Sequence, residues 1–165
     1  MTSPDEDPVS SAVTAAAALP PAGLLRRLAA MVYDGLLVLA VLMIVTACFL
    51  PLTGGEAVTW KSFPLLALPY WAALVVAVVA YFGLPWTQRG QTLGMASWRL
   101  RVQRDDGFLL TWHDAVVRLG ASLLSWLPAG LGWVWALFDR ERRTWHDSLS
   151  HSRVVVLPKG RKAGK

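Results

Sequence analysis

From Leu28 to Leu50 the chain reads LAAMVYDGLLVLAVLMIVTACFL, 23 residues in which Asp34 is the only charged side chain. As an α-helix rising about 1.5 Å per residue, this stretch is about 35 Å long, enough to cross a hydrocarbon core of about 30 Å. A soluble chain of 165 residues could hold such a helix only by burying it on every side. The rest of the composition does not supply a water-facing shell for that. Charged residues make up 16% of the chain, against roughly 25% in soluble domains, and the mean hydropathy is +0.43. Nine tryptophans point the same way, because indole rings gather where apolar and wet surroundings meet. The stretch does not read as a cleavable signal. The region ahead of it is long and acidic at Asp5, Glu6 and Asp7, and no small-x-small site closes it. Arg26 and Arg27 form a twin-arginine pair by letter only.

A second apolar run, Pro64 to Leu84, holds 21 residues and no charge, with Trp60 and Trp86 flanking it as interfacial anchors. Gly54-Gly55 supplies turn chemistry between the runs, so the two helices, about 28–50 and 64–84, are expected as an antiparallel transmembrane hairpin. The third run, Ala115 to Phe138, carries Arg118 near its start and is broken at Pro128-Ala-Gly130. Lys and Arg number two before the first helix, one in the short connection, four between the second and third runs, and eight from Arg140 onward. Positive residues favour the cytoplasm. Two crossings therefore put the amino end and the middle connection inside, whereas a full third crossing would export the most basic segment. The reading that satisfies both constraints is a re-entrant or interfacial helical hairpin turning at Pro128 to Gly132. The alternative is a third span with the tail outside.

Residues 1–23 read as a disordered arm with nothing to bury, and 158–165 as a basic tail. Trp98 to Val102 alternates large apolar residues with Arg99 and Arg101, and Asp106-Gly107 separates it from Phe108 to Trp112, which signals a small cytoplasmic β-hairpin. Val154 to Leu157 is a further short strand that could pair with it. The tetrapeptide Thr-Trp-His-Asp occurs at Thr111–Asp114 and again at Thr144–Asp147. Thr-x-x-Asp fits a helix capping box; that explains the first copy, which opens the third run, better than the second.

An ionised carboxylate at Asp34 is expensive in a membrane, about 3 kcal/mol on insertion scales. It is expected either to bind a cation or carry a proton, or to lock helices together through a buried pair. Arg27 shares its helical stripe but lies about 10 Å away, so the expectation is that Arg27 reaches for headgroups and Arg118 meets Asp34 across helices. His113, His146 and His151 lack metal-ligand spacing, and the one cysteine, Cys48, lies in an apolar run. No nucleophile, phosphate-loop or other catalytic pattern is present, so neither an enzyme nor a cofactor is expected. Gly90 to Gly94 lies in a polar connection and reads as a turn rather than a helix-dimer motif.

These pieces in this order resemble the RDD family of membrane proteins. The resemblance is carried by Arg27-Leu-Ala-Ala-Met-Val-Tyr-Asp34, Gly90-Gln-Thr-Leu-Gly94, Arg99-Leu-Arg-Val102 with Asp106-Gly107, Arg118, Asp139-Arg-Glu-Arg-Arg143, His146-Asp147 and Val154-Val-Val156. It runs from about Ala22 to Leu157 and departs at Ser148-Leu-Ser-His-Ser152-Arg153, where relatives carry a small-residue stretch. It implies a membrane domain over 24–157 whose name-giving residues are Arg27, Asp34 and Asp147, in a bacterial inner membrane with a cytoplasmic amino end. It also implies a role in transporting small ligands, cations and protons among them. Two spans cannot enclose a path alone, so a homo-oligomer or a partner membrane protein is expected, with the bilayer and its anionic headgroups as surroundings and no nucleic acid. The alternative is a non-transporting accessory or scaffold that binds a partner through its cytoplasmic basic segments.

Overall fold

A computed structural model of the chain describes residues 14, 16–126, 135–137, 139 and 143–158. Helix α1 runs over Leu24–Thr53 and α2 over Pro64–Gln88. Both outrun the apolar stretches that mark them, so Arg27 lies within the first turn of α1 rather than ahead of it. Gly54 ends α1 in the left-handed region at φ 64°, a conformation that costs glycine nothing. Its amide and that of Gly55 both turn back to the Leu50 carbonyl. Pro64 opens α2 at the position where a missing N–H is harmless. The helices touch through Thr46 Oγ1 and the Tyr70 hydroxyl at 3.1 Å, and through an edge-on Phe49–Tyr70 ring pair.

Along both helices the apolar side chains face outward. Leu36, Met43 and Ile44 on α1 and Val75 and Val76 on α2 are all at least 60% exposed. A water-soluble protein does not present so large an apolar surface, whereas hydrocarbon solvates it at no cost. The packed core lies instead at one end of the helix pair. There α3 (Leu93–Ser97), β1 (Leu100–Arg104), α4 (Trp112–Trp126), a 3₁₀ turn (Trp135–Leu137), α5 (Trp145–Leu149) and β2 (Ser152–Val156) follow in order. They bury Leu100, Val102, Leu110, Ala115 and Val154 together with Ala22 and Ala30.

The two strands pair antiparallel, from Leu100 opposite Val156 to Arg104 opposite Ser152. This corrects the expected β-hairpin. The Asp106-Gly107 turn does form, with Gly107 at φ 89° and the Arg104 amide bonded to the Phe108 carbonyl at 2.9 Å. However, Thr111 caps α4 only three residues later, leaving no length for a returning strand, and β2 takes that edge. The end of the amino-terminal arm is also ordered. Pro21 bridges to Val155, the Ala22 amide donates to the Val154 carbonyl at 2.8 Å, and Ala22 is fully buried. Trp86 is a further correction: expected at the interface, it is 8% exposed and lies beneath Arg118. The third apolar run is helical to Trp126, while the Pro128 to Gly132 break, residues 1–13 and residues 159–165 of the basic tail lie outside the described residues.

Candidate functional site

Four charged side chains converge where the helix pair meets this core. Arg27, Asp34 and Arg118 are each 4% exposed and Asp147 is fully buried. Asp147 receives Arg27 Nη1 on Oδ2, Arg118 Nη2 on Oδ1 at 2.6 Å, and the Thr144 amide on Oδ2 at 3.1 Å. It thereby ties the first turn of α1 and the middle of α4 to the amino-terminal turn of α5. The remaining guanidinium bonds complete the clasp: Arg27 Nε donates to the Ala22 carbonyl at 3.1 Å and Arg27 Nη2 to the Val154 carbonyl at 3.4 Å, and Arg118 Nη1 donates to Ser152 Oγ. Arg118 also lies over the Trp86 ring, 5.6 Å from its centre, a cation–π placement that shields the charge without discharging it.

Burial by itself would push the Asp147 carboxyl up, but the Arg118 and Arg27 guanidiniums outweigh it and hold the group well below the usual carboxylate range. Next to it, His146 is pushed down to about 3, first by burial and then by Arg118. It is therefore a neutral ring at physiological pH, with Nε2 2.9 Å from Thr144 Oγ1 and Nδ1 3.3 Å from Ser125 Oγ. The clasp thus sets two permanent cations against one anion.

Asp34 belongs to a separate arrangement. Its Oδ1 accepts from the Tyr81 hydroxyl at 2.7 Å and the Gly94 amide at 2.9 Å, and its Oδ2 accepts from Thr92 Oγ1 at 2.5 Å. Thr92 also caps α3 by accepting from the Met95 amide at 3.2 Å. Three neutral donors from α2 and the α3 turn therefore satisfy the carboxylate. Gly94 is required by contact: a Cβ there would lie 2.7 Å from Asp34 Cγ. The expected Arg118–Asp34 pair does not form, because the Arg118 guanidinium turns to Asp147 and Ser152 instead. Nor does Arg27 reach for headgroups, since its guanidinium turns inward to the same carboxylate. Sequence reasoning missed Tyr81, Thr92, Ser152 and the neutral donor set on Asp34. The repeated Thr-Trp-His-Asp was the available signal for Asp147.

Between α1, α2 and α4 lies a cavity of about 300 Å³, walled by apolar residues such as Val38, Phe82 and Leu123, with Arg27, Asp34 and Arg118 reaching it from the polar end. Among the described residues no group of three or more His, Cys, Asp or Glu side chains could hold a metal ion.

The RDD family model matches residues 21–151, a span that takes in Arg27, Asp34, Arg118, Asp147 and every helix of the site. The chain belongs to the RDD family. In this RDD chain the matched region stops just short of β2, so the strand that closes the sheet lies beyond it. No curated protein and no solved structure gives a significant match. Family membership and the two long apolar helices together point to a membrane protein.

Proposed function

We propose that this RDD chain is a multi-pass inner-membrane protein, with its amino end in the cytoplasm, that takes a small ligand into the cavity between α1, α2 and α4 as the binding step of its transport. The observation that carries this reading is the cavity itself, apolar along its walls and charged only at the end where Arg27, Asp34 and Arg118 meet. Binding sites for small molecules have this composition, mostly apolar with a few convergent polar groups. The pairing of β1 with β2 supports this topology. These strands lie on either side of the third apolar segment in sequence, and one sheet cannot straddle a bilayer. This argues that the segment enters and returns on one face, the basic one, as a re-entrant or interfacial hairpin.

The test is to purify the full chain from native membranes, denature it, and measure released small molecules by mass spectrometry beside a Val38→Trp variant whose new side chain fills the cavity. A species released in near-stoichiometric amount from wild type and lost from Val38→Trp is expected. Identical extracts from the two would contradict the reading.

A second reading, passage of a cation or proton, draws on Asp34 as a buried carboxylate reaching the cavity from within a span. Against it stand the two arginines at the same end, which repel a cation, and the three donors already on Asp34. Sodium, potassium and proton flux into proteoliposomes decides between the two readings. Flux at the level of empty vesicles is expected, and flux abolished by Asp34→Asn would favour the cation reading.

A further inference from the structure

Arg118 is the group in the cavity with capacity to spare. A guanidinium carries five N–H donors, and among the described residues Arg118 uses two, one on Ser152 and one on Asp147. Among the described residues the carboxylate it pairs with, Asp147, is shared with Arg27. Asp34 makes no bond to it; the Asp34 oxygens accept instead from Tyr81, Thr92 and Gly94. A buried arginine with unspent donors, opening on a space whose walls are mostly apolar, offers hydrogen bonds to an anion with an apolar body.

The volume narrows the class. About 300 Å³ is at the lower limit of small-ligand sites, which run from roughly 300 to 1,000 Å³. That is room for one alkyl chain and not for the paired chains of a glycerolipid. A planar carboxylate also matches the fork of N–H donors on a guanidinium. We propose that the cavity takes a single-chain alkyl carboxylate, its tail against Val38, Phe82 and Leu123 and its headgroup on Arg118. This rests on the reading above that the cavity holds a ligand, and it names the chemistry of that ligand.

The experiment uses the purified full chain in a non-ionic detergent, labelled with a diazirine analogue of dodecanoate and competed with dodecanoate, dodecanol and dilauroyl phosphatidylglycerol. Labelling is expected within residues 31–38, 78–86 and 119–123. Dodecanoate should compete at least about tenfold better than dodecanol, the worth of one hydrogen-bonded charge, and better than the phospholipid. Arg118→Gln should erase the preference for the acid over the alcohol. Val38→Trp, which leaves Arg118 in place, should abolish labelling. Equal competition by dodecanol would overturn the carboxylate assignment while leaving an occupied cavity. Stronger competition by the phospholipid would overturn the single-chain assignment. Labelling confined to the outer, lipid-facing surfaces of α1 and α2 would overturn both this inference and the ligand reading on which it rests.

Discussion

Asp114 and Asp147 occupy the same place in the same tetrapeptide, and both close capping boxes on the threonine three residues earlier. Asp114 stops there, at a partly exposed helix start, whereas Asp147 also takes two arginines and is fully buried. The local rule was legible in both copies. The long-range role was not, because Arg27 lies 120 residues from Asp147 and no local pattern reports such a partner. The pairing makes definite predictions. Replacing Asp147 by Ala leaves two buried guanidiniums uncompensated and should cost about 3–5 kcal/mol of unfolding free energy in detergent. A double-mutant cycle between Arg118 and Asp147 should show coupling of about 0.5–3 kcal/mol, while the cycle between Arg118 and Asp34 should be additive to within about 0.5 kcal/mol. Gly94→Ala, which drives a methyl into the Asp34 carboxylate, should lower the melting temperature in the same detergent more than Gly120→Ala, where a Cβ meets open space. His146 supplies a pH dependence. Its folded pKa of about 3 lies below the unfolded value of 6.5, so the unfolded chain binds the extra proton first. Stability is then fully present above about pH 6.5 and is lost as pH falls towards 3. Asp147, also depressed, adds to the loss only below its ordinary range near 4. Melting temperatures between pH 7 and 4.5 should fall in wild type and fall less in His146→Gln.

At the level of elements, the spans were readable because lipid asks for continuous apolar residues and α1 and α2 provide them with outward faces. Their ends were misjudged because the helices continue into the polar core, where Arg27 and Trp86 are buried by contacts rather than by hydropathy. The β-hairpin was misread because its turn signal is real but its second arm is too short, α4 starting at Trp112 behind the Thr111 cap. Strand pairing can be checked directly. In a Cys48→Ser background, cysteines at Gln103 and Arg153, which are register partners, should form a disulfide under mild oxidation. Cysteines at Gln103 and Val154, one step out of register, should not. Rapid cross-linking of the second pair and none of the first would require a different sheet.

Taken whole, the molecule is built inside out along most of its length: apolar side chains cover the surface of the helix pair, and the buried core with its charges is gathered at one end. The amino-terminal arm, both strands and the clasp of Arg27, Arg118 and Asp147 all lie at that end. An antiparallel pair of spans returns the chain to the side it left. The strands that flank the third segment also pair with each other, and the proposed topology accordingly puts both termini on one face of the membrane. The sequence already leaned this way through its distribution of Lys and Arg, which is a statistical preference. The sheet and the clasp add a geometric argument for the same proposal. The direct measurement is a pair of fusions to the full chain, one ahead of Met1 and one after Lys165, each carrying a reporter that is active only in the cytoplasm. Activity from both fusions is the predicted result. Activity at the amino end with an inactive reporter after Lys165 would place the strands on opposite sides of the bilayer and contradict the account.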